Sequence, residues 1–359
     1  MIFDSSFWLN ETLIFWIVST FILNNLIIFA WGKKLYFYLG LSQYKGIQRI
    51  HENETPRFGG IIFLIGVFGY ALSSPSSETI NILKQLLFFL VPTLLISLKE
   101  DLYHNVEPTI RLMMLLFSAW LFRSIYQGPL PNLDNIFLIN KLTLMPGGLA
   151  FLLILGMVSI SNGMNLIDGV NGLCAATFLS SLFALLFLAF SVRDTTLITA
   201  ILILIVFIIP FVIFNYPYGK IFLGDLGAYS LGMLISMLTI ILFGKHSQLS
   251  PWIALIILIY PIAEVVFSFT RRVFRGVSTF LPDTDHLHLK LFYFLKSKSR
   301  YKTIANPLVA VFLIFFWIYP LVTIFWLYQE PYLIKIALIF YFIVYGCVVQ
   351  FISIRKSDS

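Results

Sequence analysis

Apolar stretches long enough to cross a bilayer recur from one end of this 359-residue chain to the other. A spanning helix needs roughly 17–25 mostly apolar residues. About eleven segments meet or approach that length: residues 11–31, 59–74, 80–98, 109–126, 147–164, 173–192, 196–215, 226–243, 250–270, 306–327 and 331–354. Only 11% of the residues are charged, against about 25% in soluble domains. The chain therefore reads as one all-α integral membrane domain over residues 1–359, a polytopic bundle with little room for a separate soluble unit. The first span has no small-residue cleavage site after it and reads as a retained helix. The sequence shows no internal repeat of the kind that builds transporters from two halves. Cys174 and Cys347 both fall in apolar runs and read as small core residues, not as a disulfide or a metal site.

Orientation follows from the loop cations. Lys33, Lys34, Lys45, Arg49 and Arg57 follow the first span, Arg271 to Lys302 follow the ninth, and Arg355 and Lys356 follow the last. With the spans as counted, all lie on one side, which puts the N-terminus outside and the C-terminus in the cytoplasm. The cytoplasmic loops are then 32–58, 99–108, 162–172, 216–225 and 271–305. The formal net charge of +7 is in this setting a topology signal and an anion-facing surface, not a nucleic-acid footprint.

One stretch breaks the apolar pattern sharply. Between two spans lies SNGMNLIDGVNGL, Ser161–Leu173. Asn, Asp and Gly favour turns, but a structural loop needs few of them and seldom a carboxylate beside lipid. Polar groups at membrane depth are costly, so their default reading is functional. Asn162, Asn165, Asp168 and Asn171 follow one another at spacings of three, which on a helix places them on roughly one face. Three other stretches fall on the same side. HENETPRFGG ends the first cytoplasmic loop, and there Lys45, His51 and Arg57 are candidate anion-binding cations. SLKEDLYHNVEPTIRL places Glu100 and Asp101 at a helix end, where the macrodipole disfavours acid unless a cation such as Arg111, Lys99 or a metal stands nearby. FNYPYGKIFLGDLG brings Asp225 to the start of a span, where a helix cap is the rival reading. Three carboxylates converging from separate loops, Asp101, Asp168 and Asp225, would repel unless joined by a cation, and few oxygen ligands completed by water and phosphate are typical of Mg²⁺. The ninth loop adds His286 and His288, read here as contacts to an anionic substrate.

These stretches resemble those of the polyprenyl-phosphate N-acetylhexosamine-1-phosphate transferases, a family that includes undecaprenyl-phosphate GlcNAc-1-phosphate transferases and phospho-MurNAc-pentapeptide transferases. SNGMNLIDGVNGL and FLGDLG carry the resemblance, TPRFGG supports it, and it runs from about Lys45 to His288. The resemblance implies transfer of a sugar-1-phosphate from a UDP-N-acetylhexosamine to undecaprenyl phosphate with release of UMP. It implies Mg²⁺, with Mn²⁺ as an alternative, a multi-pass bacterial inner membrane protein with a cytoplasmic active site in contact with membrane lipid, and a homodimer as the candidate assembly. By position it assigns Asp225 to the metal, Asn165 to metal and pyrophosphate, Asp101 to activation of the lipid phosphate, and Asp168 to the nucleotide. Three departures stand out: Glu100 replaces an Asp, Asn171 replaces an Asp in the motif DGVNGL, and Leu289 replaces a third His. The substitution Asn171→Asp is therefore expected to be tolerated. The thinner His cluster favours the branch that begins O-antigen or related surface polysaccharides over the pentapeptide branch. A polytopic transporter is the rival from another class, but it would want ionisable residues mid-span and a path to both faces. A catalytically silent homologue serving as an assembly scaffold is the other rival.

Overall fold

A computed structural model of the protein describes residues 11–34, 55–133, 140–276, 285–301 and 304–357. Lys45 and His51 lie outside the described residues. The described chain is helical, without strands: α1 Glu11–Gly32, α2 Gly59–Ser73, α3 Glu78–Tyr103, α4 Pro108–Ile125, α5 Asn140–Thr143, α6 Gly148–Ile167, α7 Leu173–Ser191, α8 Thr195–Asn215, α9 Gly224–Lys245, α10 Pro251–Ile257, α11 Ile259–Phe274, α12 Leu287–Ser297, α13 Ala305–Phe312, α14 Ile314–Leu327 and α15 Pro331–Ser357. Among the described residues nine helical segments are long and apolar enough to cross a membrane, α13 and α14 counting as one, and ten if α10 and α11 form a single broken span.

Two of the eleven expected spans thus differ from a plain crossing. α2 has 15 residues, short of a bilayer's thickness at 1.5 Å per residue. The segment expected at 250–270 is bent by 76° between α10 and α11. Pro261, in the first turn of α11, has no N–H to donate to the carbonyl of Ile257, and its ring crowds that carbonyl, which favours a bend at this point.

The bundle is built around α9. Every residue from Gly224 to Phe243 is buried, as expected of a helix apolar on all sides. It packs against α2, α3, α6 and α7. Contact with α2 is backbone to backbone: a Cβ on Gly60 would lie 2.2 Å from the Cα of Gly227, so neither side tolerates a side chain there. α3 carries Pro92 inside it. The neighbouring Thr93 N–H and hydroxyl both bond the Ser118 hydroxyl of α4, at 3.1 and 2.8 Å, which keeps polar groups satisfied where water is scarce.

The two ends of the bundle differ. At one end Asp194 caps α8 by accepting the Leu197 N–H at 3.0 Å. It pairs there with His246 at 2.9 Å, while Lys245 reaches Glu78 at 3.5 Å. Burial works against the Asp194 carboxylate, but the Leu197 N–H, His246 and Lys245 outweigh it and hold it below its ordinary range. This network pins α3, α8 and α9 together. At the opposite end of the same three helices lie Asp101, Asn215 and Asp225, with the α6–α7 connection beside them.

Candidate active site

The segment before α2 is laced to the segment before α9. Phe222 donates its N–H to the Pro56 carbonyl at 2.8 Å, and Gly59 and Gly60 donate to Phe222 and Leu223 at 2.9 Å each. This extended pairing carries Arg57 across to α9. The Arg57 guanidinium reaches Asp225 at 2.6 Å and Asp101 at 3.4 Å. From the first turn of α4, Arg111 reaches the other oxygen of Asp225 at 2.9 Å and Glu100 at 3.5 Å. Asn165, in the last turn of α6, donates its amide to Asp225 at 3.3 Å. Asp225 is therefore a carboxylate held by two guanidiniums and an amide, each from a different element. It does not cap its own helix: the cap position is Leu223, without a side-chain bond.

The N-terminal amides of α9 are taken by Asp101 from the end of α3. Asp101 Oδ1 accepts the Asp225 N–H and Oδ2 the Leu226 N–H, both at 2.9 Å. This accounts for an acid at the wrong end of α3. The carboxylate faces the positive end of α9 instead of the negative end of its own helix alone. Glu100 is satisfied differently, accepting the Val106 N–H at 2.9 Å.

Asp168 follows the end of α6 and lies within the field of Arg57, Asp225 and Asp101. Loss of water raises its carboxyl well above the ordinary range; Arg57 pulls it back, and the two other carboxylates push it further up. The loop after it is braced by amides. Asn171 donates its side-chain N–H to the Pro217 carbonyl at 2.9 Å and its backbone N–H to Asn306 at 2.8 Å. Asn215 accepts the Gly172 N–H at 2.7 Å and donates to the Ile221 carbonyl at 2.8 Å.

Several residues named from the sequence stand elsewhere than at Asp225. Asn162 turns back onto its own helix, donating to the Val158 carbonyl at 3.0 Å. Asn171 is spent on the Pro217 carbonyl. His286 and His288 are not open cations at a mouth. Both are buried and face a third buried group, Glu264 of α11, at 3.1 and 4.0 Å. Burial lowers the His288 imidazole below its ordinary range, with Glu264 partly restoring it, so a standing positive charge for anion contact is disfavoured there. The ring is nonetheless beside the polar loop: a Cβ on Gly169 would meet His288 Nε2 at 2.4 Å.

Two participants are hard to find from the sequence. Arg111 stands out there only as a possible neighbour of the acidic pair. Glu264 is not singled out by any motif, although a lone carboxylate inside an apolar run is itself a signal.

Asp225 and Asn165 carry side-chain oxygens of the hard kind that Mg²⁺ takes, and both Asp225 oxygens are paired with guanidiniums, Arg57 at 2.6 Å and Arg111 at 2.9 Å, which an ion would have to share or displace. Among the described residues no three His, Cys, Asp or Glu side chains close into a metal cage. An ion bound here would complete its shell with water and phosphate, which is the habit of Mg²⁺.

Fold and site together define an all-helical, multi-pass membrane protein whose polar loops meet at one end of the bundle, and the comparisons with known proteins agree. Residues 83–243 match the family "Glycosyl transferase family 4". It is 28% identical over 279 residues to the probable undecaprenyl-phosphate N-acetylglucosaminyl 1-phosphate transferase of Bacillus subtilis (strain 168), covering 76% of this chain and 75% of that protein. It is 26% identical over 281 residues to the undecaprenyl-phosphate alpha-N-acetylglucosaminyl 1-phosphate transferase of Salmonella typhi, covering 76% and 74%. It is 26% identical over 277 residues to the phospho-N-acetylmuramoyl-pentapeptide-transferase of Streptococcus thermophilus (strain CNRZ 1066), covering 68% and 79%. The matched family region contains Asp101, Arg111, Asn165, Asp168 and Asp225.

Proposed function

We propose that this protein transfers an N-acetylhexosamine-1-phosphate from a UDP-sugar to undecaprenyl phosphate at the cytoplasmic face of the bacterial inner membrane, releasing UMP. The product would begin O-antigen or a related surface polysaccharide. The observation that carries the reading is Asp225, held between Arg57 and Arg111 beside two further carboxylates, at the end of the bundle where the loop cations lie. The names of the Bacillus and Salmonella relatives support the same activity.

In this reading an oxygen of the lipid phosphate attacks the sugar-bearing phosphorus. The bond from that phosphorus to the bridging oxygen breaks, and UMP leaves with the bridging oxygen. Arg57 and Arg111 form charge-assisted bonds to the diphosphate and hold it in line. Asp225 and Asn165 would hold Mg²⁺, which would supply positive charge to offset the negative charge that gathers on the leaving phosphate. Asp168 lines the nucleotide side of the site, next to the braced loop 168–172. The prenyl chain lies among the helices in the bilayer.

A panel of UDP-sugars incubated with purified protein, undecaprenyl phosphate and Mg²⁺ tests this. A lipid product heavier by one N-acetylhexosamine phosphate, formed from one or two donors, is expected. Conversion of UDP-MurNAc-pentapeptide alone would move the assignment to the pentapeptide branch, and no lipid product from any donor would contradict it.

A further inference from the structure

We infer that Asp101 is a positioning residue, which holds the N-terminus of α9 so that Asp225 presents its carboxylate to the metal, and that it does not take a proton from the acceptor. The inference rests on the function proposed above. The expectation from the sequence is the reverse, that Asp101 activates the lipid phosphate.

Three observations carry it. First, both Asp101 oxygens already receive backbone N–H groups, from Asp225 and Leu226 at 2.9 Å each. These are the residue that bears the metal-binding carboxylate and the one after it. Two parallel bonds fix the rotation of the first turn of α9, and with it the direction in which the Asp225 side chain leaves the backbone. Second, the Asp101 side chain is 0% exposed, whereas an acceptor phosphate has to approach from the mouth or from lipid. Third, there is no room for the clamp to relax. Gly224 sits at φ +80, and a Cβ there would lie 2.7 Å from Asp101 Oδ2 and 2.5 Å from the Arg57 carbonyl. Gly224 is thus both the left-handed hinge that starts α9 and the space that the Asp101 carboxylate fills.

The chemistry does not require a base at this position. The second ionisation of a phosphate monoester lies near 6, so at pH 7 roughly nine-tenths of the acceptor is already the dianion. What the reaction needs from the protein is placement of charge, and Asp101 supplies that indirectly. The arrangement also gives a reason for an acidic pair in which the two members differ. Glu100 pairs with Arg111 while Asp101, one carbon shorter, fits the helix end.

The test is equilibrium binding of UMP to the full-length protein in detergent as Mg²⁺ is titrated, read by calorimetry, with turnover measured over the same Mg²⁺ range. Three variants are compared with the parent: Asp101→Asn, which can accept only one of the two N–H groups; Asp101→Ser, a smaller cap; and Gly224→Ala, which leaves every charge in place but crowds Oδ2. If Asp101 acts by positioning, all three raise the Mg²⁺ midpoint for UMP binding, by about tenfold for Asp101→Asn. The turnover deficit of Asp101→Asn should then narrow as Mg²⁺ rises. An Asp101→Asn or Asp101→Ser protein with the parental Mg²⁺ midpoint, and a turnover loss equal at every Mg²⁺ concentration, would overturn the inference in favour of proton transfer. A midpoint that moves in the Asp101 variants but not in Gly224→Ala would overturn it in favour of a pure charge effect. If the parent itself shows no Mg²⁺-linked UMP binding, the proposed function falls, and this inference with it. Parental binding with unmoved variants removes the inference alone.

Discussion

Asp225 has a guanidinium on each oxygen, and each guanidinium also serves a second carboxylate: Arg57 touches Asp101, and Arg111 touches Glu100. Charge-assisted bonds of this kind are worth about 1.5–3 kcal/mol, so removing one should be felt strongly. Arg111→Ala is expected to lower kcat/KM for the UDP-sugar by roughly 10–100-fold. Arg111→Lys should recover only part of it, because an ammonium does not reproduce a planar fork set between two acids. Full recovery by Lys would show that only charge matters. Asp168 makes a different prediction. Its carboxyl is raised above the ordinary 3.8 by loss of water, with Asp225 and Asp101 adding to the effect. A raised folded-state value means that the folded protein holds this proton more tightly than the unfolded chain does. The associated stability is present below pH 3.8 and is lost as pH rises through the higher folded value. Asp168→Asn removes that dependence. Its unfolding midpoint should fall less than the parent's as pH is raised from about 4 to neutrality, even as nucleotide binding weakens. A parallel fall in both proteins would contradict the assignment.

At the scale of elements, the helices and the polar connections are legible in the sequence, but not what each polar group bonds. Hydrophobic length places the spans, because a buried or lipid-facing helix has little alternative. The spacing of three through Asn162, Asn165, Asp168 and Asn171 suggests a common face, and only part of that set reaches Asp225. Asn165 does, while Asn162 bonds its own helix and Asn171 bonds the loop after α8. Periodicity cannot show this, since α6 ends at Ile167 and the later members of the series lie on a turn. The pairing of residues 56–60 with 222–223, which delivers Arg57, joins segments about 165 residues apart and has no local signature. The sequence-level expectation for Asn171→Asp changes accordingly. Aspartate keeps a polar side chain but loses the N–H that meets the Pro217 carbonyl, and it sets two acceptors 2.9 Å apart. The variant should lose about 1–3 kcal/mol of stability and a matching part of its activity. An Asn171→Asp variant with the parental unfolding midpoint would return the position to a simple turn.

For the whole molecule, the bundle brings all the candidate groups to one end of α3, α8 and α9 and an ion-pair clasp of Glu78, Asp194, Lys245 and His246 to the other. In the function proposed above, the first end faces the cytoplasm, as the loop cations lead one to expect. In a Cys347→Ser background, Tyr218→Cys at the first end should resist an impermeant thiol reagent in intact cells, whereas Ser247→Cys at the second should react; both positions are exposed. The reverse pattern would invert the topology. The central claim is the transfer of a phosphorus along with the sugar, as opposed to the sugar alone, and a single label tests it. UDP-N-acetylhexosamine carrying ³²P in the phosphate next to the sugar is incubated with the purified protein, undecaprenyl phosphate and Mg²⁺. Asp225→Asn protein serves as the control. Label in the lipid fraction with unlabelled UMP released, and neither with Asp225→Asn, is the predicted result. Label remaining in water-soluble UDP while the sugar enters the lipid, or lipid labelling undiminished in Asp225→Asn, would contradict it.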